Sequence, residues 1–223
     1  MSESAMIQLA LGFAFLDGYC DAISFFLVGT FTGHVTGNSV LAAMRVALFD
    51  ARGTLACSLA ILFFLAGTFL GARLAQTLAG RSERFILQAT MGVEVALILV
   101  GYLAVSGTSP IRSELYIAVL ALAMGLRNGA FRRANGLTVH TTCVSGMFTN
   151  VVTDFAISRP LPAGDPPNSK LSAQSQRFGG IFVFFVFAAL VGALIVSRFH
   201  ANGVLGGVLL LLVLAGVLRT ADR

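Results

Sequence analysis

Of 223 residues, 57% are hydrophobic and only 11% charged, against about 25% charged in an average soluble domain. That balance excludes a soluble globule of this size and leaves no stretch for a soluble domain beside the apolar segments. The net charge of +5 lies at segment ends, which reads as membrane topology rather than nucleic-acid binding.

A spanning helix needs about 20 mostly apolar residues. Eight apolar segments follow one another, and we letter them A to H. Segment A covers 6–28; its start, MSESAMIQLA, lacks a basic leader, so no removable signal peptide is expected. Segment B, 35–49, is short and opens with polar residues. Segments C (54–78), D (85–105) and E (115–130) are long apolar runs. Segment F, 142–157, is again short and polar at its start. Segments G (179–196) and H (204–218) close the chain. Residues 81–84, 106–114 and 198–203 read as connections, and 159–177, rich in Pro, Ser and Gly, as a flexible exposed loop.

The short segments prompt a search for an internal repeat with halves 6–105 and 115–218. GYCDAISFFLVG (18–29) aligns with GLRNGAFRRANG (125–136), and VTGNSV (35–40) with VSGMFT (144–149). A competing register pairs Thr32, His34 and Thr36 with Thr138, His140 and Thr142. Both registers stand. If all eight segments crossed, basic residues would divide almost evenly between the two sides. If B and F enter and leave on one side, only Arg45, Arg52, Arg112 and Arg198 lie opposite the remaining loops. The asymmetry favours six crossings with both termini cytoplasmic, and two halves of opposite orientation.

Several side chains stand out against the apolar background. Asp17 and Asp21, four apart, share one helix face. An ionised carboxylate at membrane depth costs at least about 2.5–3.5 kcal/mol and must pair, protonate or meet water. Arg127, Arg132 and Arg133 are candidate ion-pair partners and, as planar forks, a candidate clamp for an anion. Glu94 stands alone in segment D. His34, Thr36, Asn38, Asn128, Thr142 and Ser145 supply neutral donors and acceptors at the A–B and E–F breaks. Cys20, Cys57 and Cys143 lie far apart and form no metal or redox motif, and no nucleophile–base pattern is present, so neither cofactor nor enzyme activity is expected.

The runs GHVTGNSV, LALAMGLRNGAFRR and LTVHTTCVSGMFT resemble the YoaK-like family of uncharacterised bacterial membrane proteins over nearly the whole chain. Its first motif falls on His34, Val35, Thr36, Gly37 and Asn38. The second falls on Ala123, Met124, Gly125, Asn128, Thr141, Thr142, Ser145 and Gly146, with Ser145 in place of the more usual Thr. The resemblance implies a bacterial inner-membrane protein and brings no substrate or catalytic residue with it.

The expectation is an all-α polytopic transmembrane helix bundle of about six crossings. It acts as a transporter or channel-like protein for a small polar or anionic solute, with Asp17 or Asp21 exchanging protons. The rival expectation is an accessory membrane protein that stabilises a partner. The partners expected are the lipid bilayer, the solute and, through the small-residue face at Gly67 and Gly71, a second copy of the chain.

Overall fold

The structure, a computed structural model, describes the backbone of residues 3–107, 110–134, 152 and 169–220. Segment F apart from residue 152, and with it Thr142 and Ser145, lies outside these residues, as do the side chains of Arg132 and Arg133. The described elements are all helical: α1 (Glu3–Val28), α2 (Val35–Ala47), α3 (Ala51–Thr77), α4 (Glu83–Val105), α5 (Pro110–Ala134), α6 (Ser169–Phe199), a 3-10 turn (His200–Gly203) and α7 (Val204–Thr220).

The helix starts follow local chemistry. Asp50 accepts the Gly53 N–H at 2.9 Å and opens α3, and Ser82 accepts from Phe85 N at 3.3 Å to open α4. Pro110 sits at the first position of α5, where its missing N–H has no helical partner to lose. Residues 110–114 are therefore helix, and the loop expected over 106–114 is shorter. Likewise α6 begins at Ser169, so the second half of the loop expected over 159–177 is helical. Its Lys, Leu, Ala and Gln are good helix formers, and they outweigh the loop-like serines.

Five stretches are long and apolar enough to cross a membrane. The last, Gly179–Arg219, is a hairpin. Along α6, Gly180 approaches Leu11 and Gly192 approaches Tyr19; along α7, Gly203 approaches Ile23 and Gly207 approaches Leu16. Hence α6 runs parallel to α1 and α7 runs back, so the fifth apolar stretch supplies two of the six long bundle helices among the described residues. In contrast α2, with 13 residues, is about 20 Å long, too short for a hydrocarbon core of about 30 Å.

Burial is the reverse of a soluble protein's. Asp17, Asp21, Asn38, Thr90, Glu94 and Arg127 are buried, while Leu62, Leu65 and Phe69 on α3 and Val183, Phe187, Leu190 and Leu194 on α6 are exposed. Such apolar rims suit lipid, and with the five apolar stretches they mark an integral membrane protein.

Glycines set the closest approaches. A Cβ on Gly67 would strike the Leu122 carbonyl, and one on Gly71 the Leu126 carbonyl. Reciprocally, Gly125 lies on the Phe64 carbonyl and Gly129 on the Thr68 carbonyl. Two GxxxG faces thus bring α3 and α5 together in parallel, backbone to backbone. The Gly67–Gly71 face, expected to join two copies, is consumed inside the chain.

Candidate functional site: a buried ionic cluster beside a helix break

The site is built where α1 ends and the chain turns back. Gly29 takes φ +67°, a left-handed conformation suited to glycine, and stops α1. The next residues fold back into the bundle, because Thr32 and Gly33 reach Asp21, almost two turns below the end of α1. From there α2 climbs to the same end it left, where Arg45 donates to the Gly29 carbonyl. Segment B therefore enters and leaves on one side.

Non-helical backbone at this depth must have its polar groups satisfied. Three side chains do so. Asn38 holds both polar groups of Phe31: its Oδ1 accepts from Phe31 N at 3.1 Å and its Nδ2 donates to Phe31 O at 2.7 Å. Asp21 Oδ1 accepts from Thr32 N and Gly33 N, both at 2.8 Å, and from the Thr32 hydroxyl at 3.1 Å. Arg45 is the third. Asp21 Oδ2 is buried and makes no hydrogen bond among the described residues, although His34 Nε2 stands 3.2 Å away. The contact is that of an ion pair when His34 is protonated. The His34 side chain keeps 30% of its surface exposed and links this carboxylate to the outside of the bundle.

One turn deeper lies the ionic cluster. Arg127 on α5 donates from Nε to Glu94 Oε1 on α4 at 3.0 Å and from an Nη to Asp17 Oδ1 on α1. Its other Nη reaches the Phe13 carbonyl at 3.4 Å, and the guanidinium lies 4.9 Å from the centre of the Phe13 ring. Asp17 and Glu94 have no exposed surface, and Arg127 has 3%. The second oxygen of each carboxylate, Asp17 Oδ2 and Glu94 Oε2, has no hydrogen-bond partner among the described residues. Two carboxylates thus share one guanidinium, with a third carboxylate one helical turn above them.

The sequence expectations divide accordingly. Asp17 pairs with Arg127, one of its candidate partners. Glu94, which stood alone in the sequence, is corrected: it pairs with Arg127 from across the bundle. Asp21, His34 and Asn38 gather at the break. Thr36 is exposed and stands apart, and Asn128 is half-buried without a hydrogen bond to another described residue. Several polar contacts were not foreseen, among them three in the bundle interior. Ser24 and Tyr116 share a hydrogen bond at 3.0 Å, Thr30 and Cys57 lie 3.8 Å apart, and Tyr19 donates to the Gly203 carbonyl at 2.7 Å. Buried tyrosines on apolar helices were the available signal, since a phenol inside a bundle needs a partner.

Neither a curated protein nor a solved structure matches the chain. A family profile does, over residues 9–217. The chain belongs to that family, described as a protein of unknown function (DUF1275), which includes YoaK.

Proposed function

We propose that this protein is a transporter or channel-like protein of the bacterial inner membrane, moving a small polar solute through the bundle by way of the Asp21–His34 break and the Asp17–Glu94–Arg127 cluster. The observation that carries this reading is a set of three buried carboxylates, two on a single guanidinium and the third one helical turn above, each with one oxygen lacking a hydrogen bond among the described residues. Ionisable groups inside a membrane bundle are expensive, and pathways for ions and polar solutes are where they are commonly kept. The charge count also refines the solute. Arg127 is already engaged by two carboxylates and a carbonyl, so it offers an anion little. A neutral polar molecule, a cation or a proton fits the cluster better. The basic residues support an orientation too: Arg73, Arg81, Arg84 and Arg219 stand at the end that carries both termini of the described bundle, which we assign to the cytoplasm.

The second reading is an accessory membrane protein in which the cluster is a dry lock between α1, α4 and α5; the near-complete enclosure of Arg127 favours it. Uptake by proteoliposomes of a panel of polar, cationic and anionic solutes, with proton flux followed by an internal dye, separates the two. Asp21→Asn keeps the Oδ1 acceptor for Thr32 and Gly33, so it should leave insertion intact and reduce flux. Equal flux by that variant removes Asp21 from the mechanism, and no flux of any solute by the parent protein favours the lock.

A further inference from the structure

A cleft of about 360 Å³ opens at the end of the bundle where α2 meets α3. Arg45, Asp50, Arg52 and Glu114 line its mouth, with Ala56 and Ile117 further in. Beneath it the polar contacts descend in order. Ser24 lies one turn below Val28, a wall residue, and meets Tyr116, the neighbour of Ile117. Thr30 meets Cys57, the neighbour of Ala56. Asp21 with His34 follows, then Asp17 with Arg127 and Glu94. On α1, Val28, Ser24, Asp21 and Asp17 follow one another at three or four residues, about one helical turn each, so polar groups continue along that face from the cleft to the cluster.

Beyond the cluster the buried Thr90 hydroxyl is spent on its own helix, at the Ile86 carbonyl, and large apolar side chains pack together among the described residues. Phe13 and Phe131 pack edge to face with ring centres 5.1 Å apart, and Leu9, Leu87 and Met91 pack in the same core. All five are at most 5% exposed. Among the described residues the column is therefore polar toward one end and packed with apolar side chains toward the other.

The helix contacts give a reason for this one-sidedness. Gly18 lies on the Phe185 carbonyl as Gly125 lies on the Phe64 carbonyl, and Gly192 lies on the Tyr19 carbonyl as Gly71 lies on the Leu126 carbonyl. One register relates both pairs of contacts, and it is the register that aligns residues 18–29 with 125–136. The α1–α6 pair and the α5–α3 pair are then one unit used twice in opposite orientation. Carried along that register, Phe131 stands in place of Ser24, and Leu9 in place of Tyr116. Equivalent levels of the two halves hold a hydroxyl pair on one side and an apolar pair on the other.

We infer that the cleft at the α2–α3 end is the vestibule of the solute pathway, that the Ser24–Tyr116 level is its wetted throat for small hydrogen-bonding solutes, and that Leu9, Phe13 and Phe131 close the opposite end. This rests on the transport reading above. The test is thiol labelling from each face of membrane vesicles with a small charged methanethiosulfonate reagent, the introduced cysteines in a chain lacking Cys20, Cys57 and Cys143, and native Cys20 by itself in a chain lacking only Cys57 and Cys143. Phe49→Cys, at the fully exposed α2–α3 turn, marks which face is which. The inference expects Ala56→Cys and Ser24→Cys to react from the Phe49 face, and Phe131→Cys and Leu9→Cys to stay silent from the other. Leu9→Cys keeps the reading testable should Phe131→Cys misfold. Reaction of Phe131→Cys or Leu9→Cys from the far face overturns the block. A silent Ser24→Cys together with a reactive native Cys20 overturns the vestibule alone and leaves transport standing by another route. Silence at Ser24→Cys and Cys20 alike overturns both.

Discussion

Helix α5 presents two faces that hold the bundle in opposite ways. Toward α3 it offers Gly125 and Gly129, and the contact is backbone on backbone with no charge involved. Toward α1 and α4 it offers Arg127, and the contact is a guanidinium between two carboxylates. In lipid, where apolar burial between helices gains little, close packing of small residues is an economical means of association. An ion cluster is not, because its desolvation offsets much of its Coulomb gain. A fold that needed only stability would have repeated the glycine solution on both faces. That the second face keeps three ionisable groups is the cost that the proposed transport pathway accounts for.

Breaking the charged face should have the largest effect. Arg127→Ala leaves Asp17 and Glu94 buried without their cation and should destabilise the protein by about 3–5 kcal/mol, read as lost thermal stability in detergent. The triple variant Arg127→Met, Asp17→Asn, Glu94→Gln removes the charges together and should recover most of that loss while abolishing any flux. The recovery is what distinguishes a costly functional cluster from a structural necessity.

Breaking the glycine face should come next. Gly125→Leu forces a side chain against the Phe64 carbonyl and should cost about 1–3 kcal/mol or more, since backbone cannot yield as a side chain does. Gly92→Leu, with nothing near its Cβ position, is the control and should be neutral within error.

The break itself should be intermediate. Asp21→Ala strips three hydrogen bonds from Thr32 and Gly33 and should cost about 1–3 kcal/mol, with faster amide exchange confined to residues 29–33. Asp21→Asn should lose less, because the acceptor remains. The smallest change is Tyr116→Phe, which removes the bond to Ser24 and should cost about 0.6 kcal/mol, near the average for such bonds in a bundle.

How much of this was legible in the sequence depends on the distance over which the physics acts. The turning-back of segment B follows from local facts, a short apolar run with a polar start and the count of basic residues. Asp17 and Asp21 are flagged by their cost at membrane depth, and Arg127 is a plausible answer to it. The Glu94–Arg127 pair is not readable, because it depends on the relative depth of α4 and α5, set by packing such as Gly101 on Leu120. The Ser24–Tyr116 bond depends likewise on the height of α1 against α5. The early start of α6 was hidden by serines and prolines that resemble a loop. The two alternative repeat registers stay open, because Thr138, His140 and Thr142 lie outside the described residues.

The most direct test of the central claim, that the charged face of α5 borders a wet pathway, uses the native Cys20. Its sulfur lies against the Gly207 position, and on α1 the residue is next to Asp21 and three positions from Asp17. In a chain lacking Cys57 and Cys143, a small charged thiol reagent should modify Cys20 in the folded, membrane-embedded protein, and bulkier reagents should not. If Cys20 resists the small reagent until the protein is unfolded, the cluster is a dry lock and the account of a solute pathway is wrong.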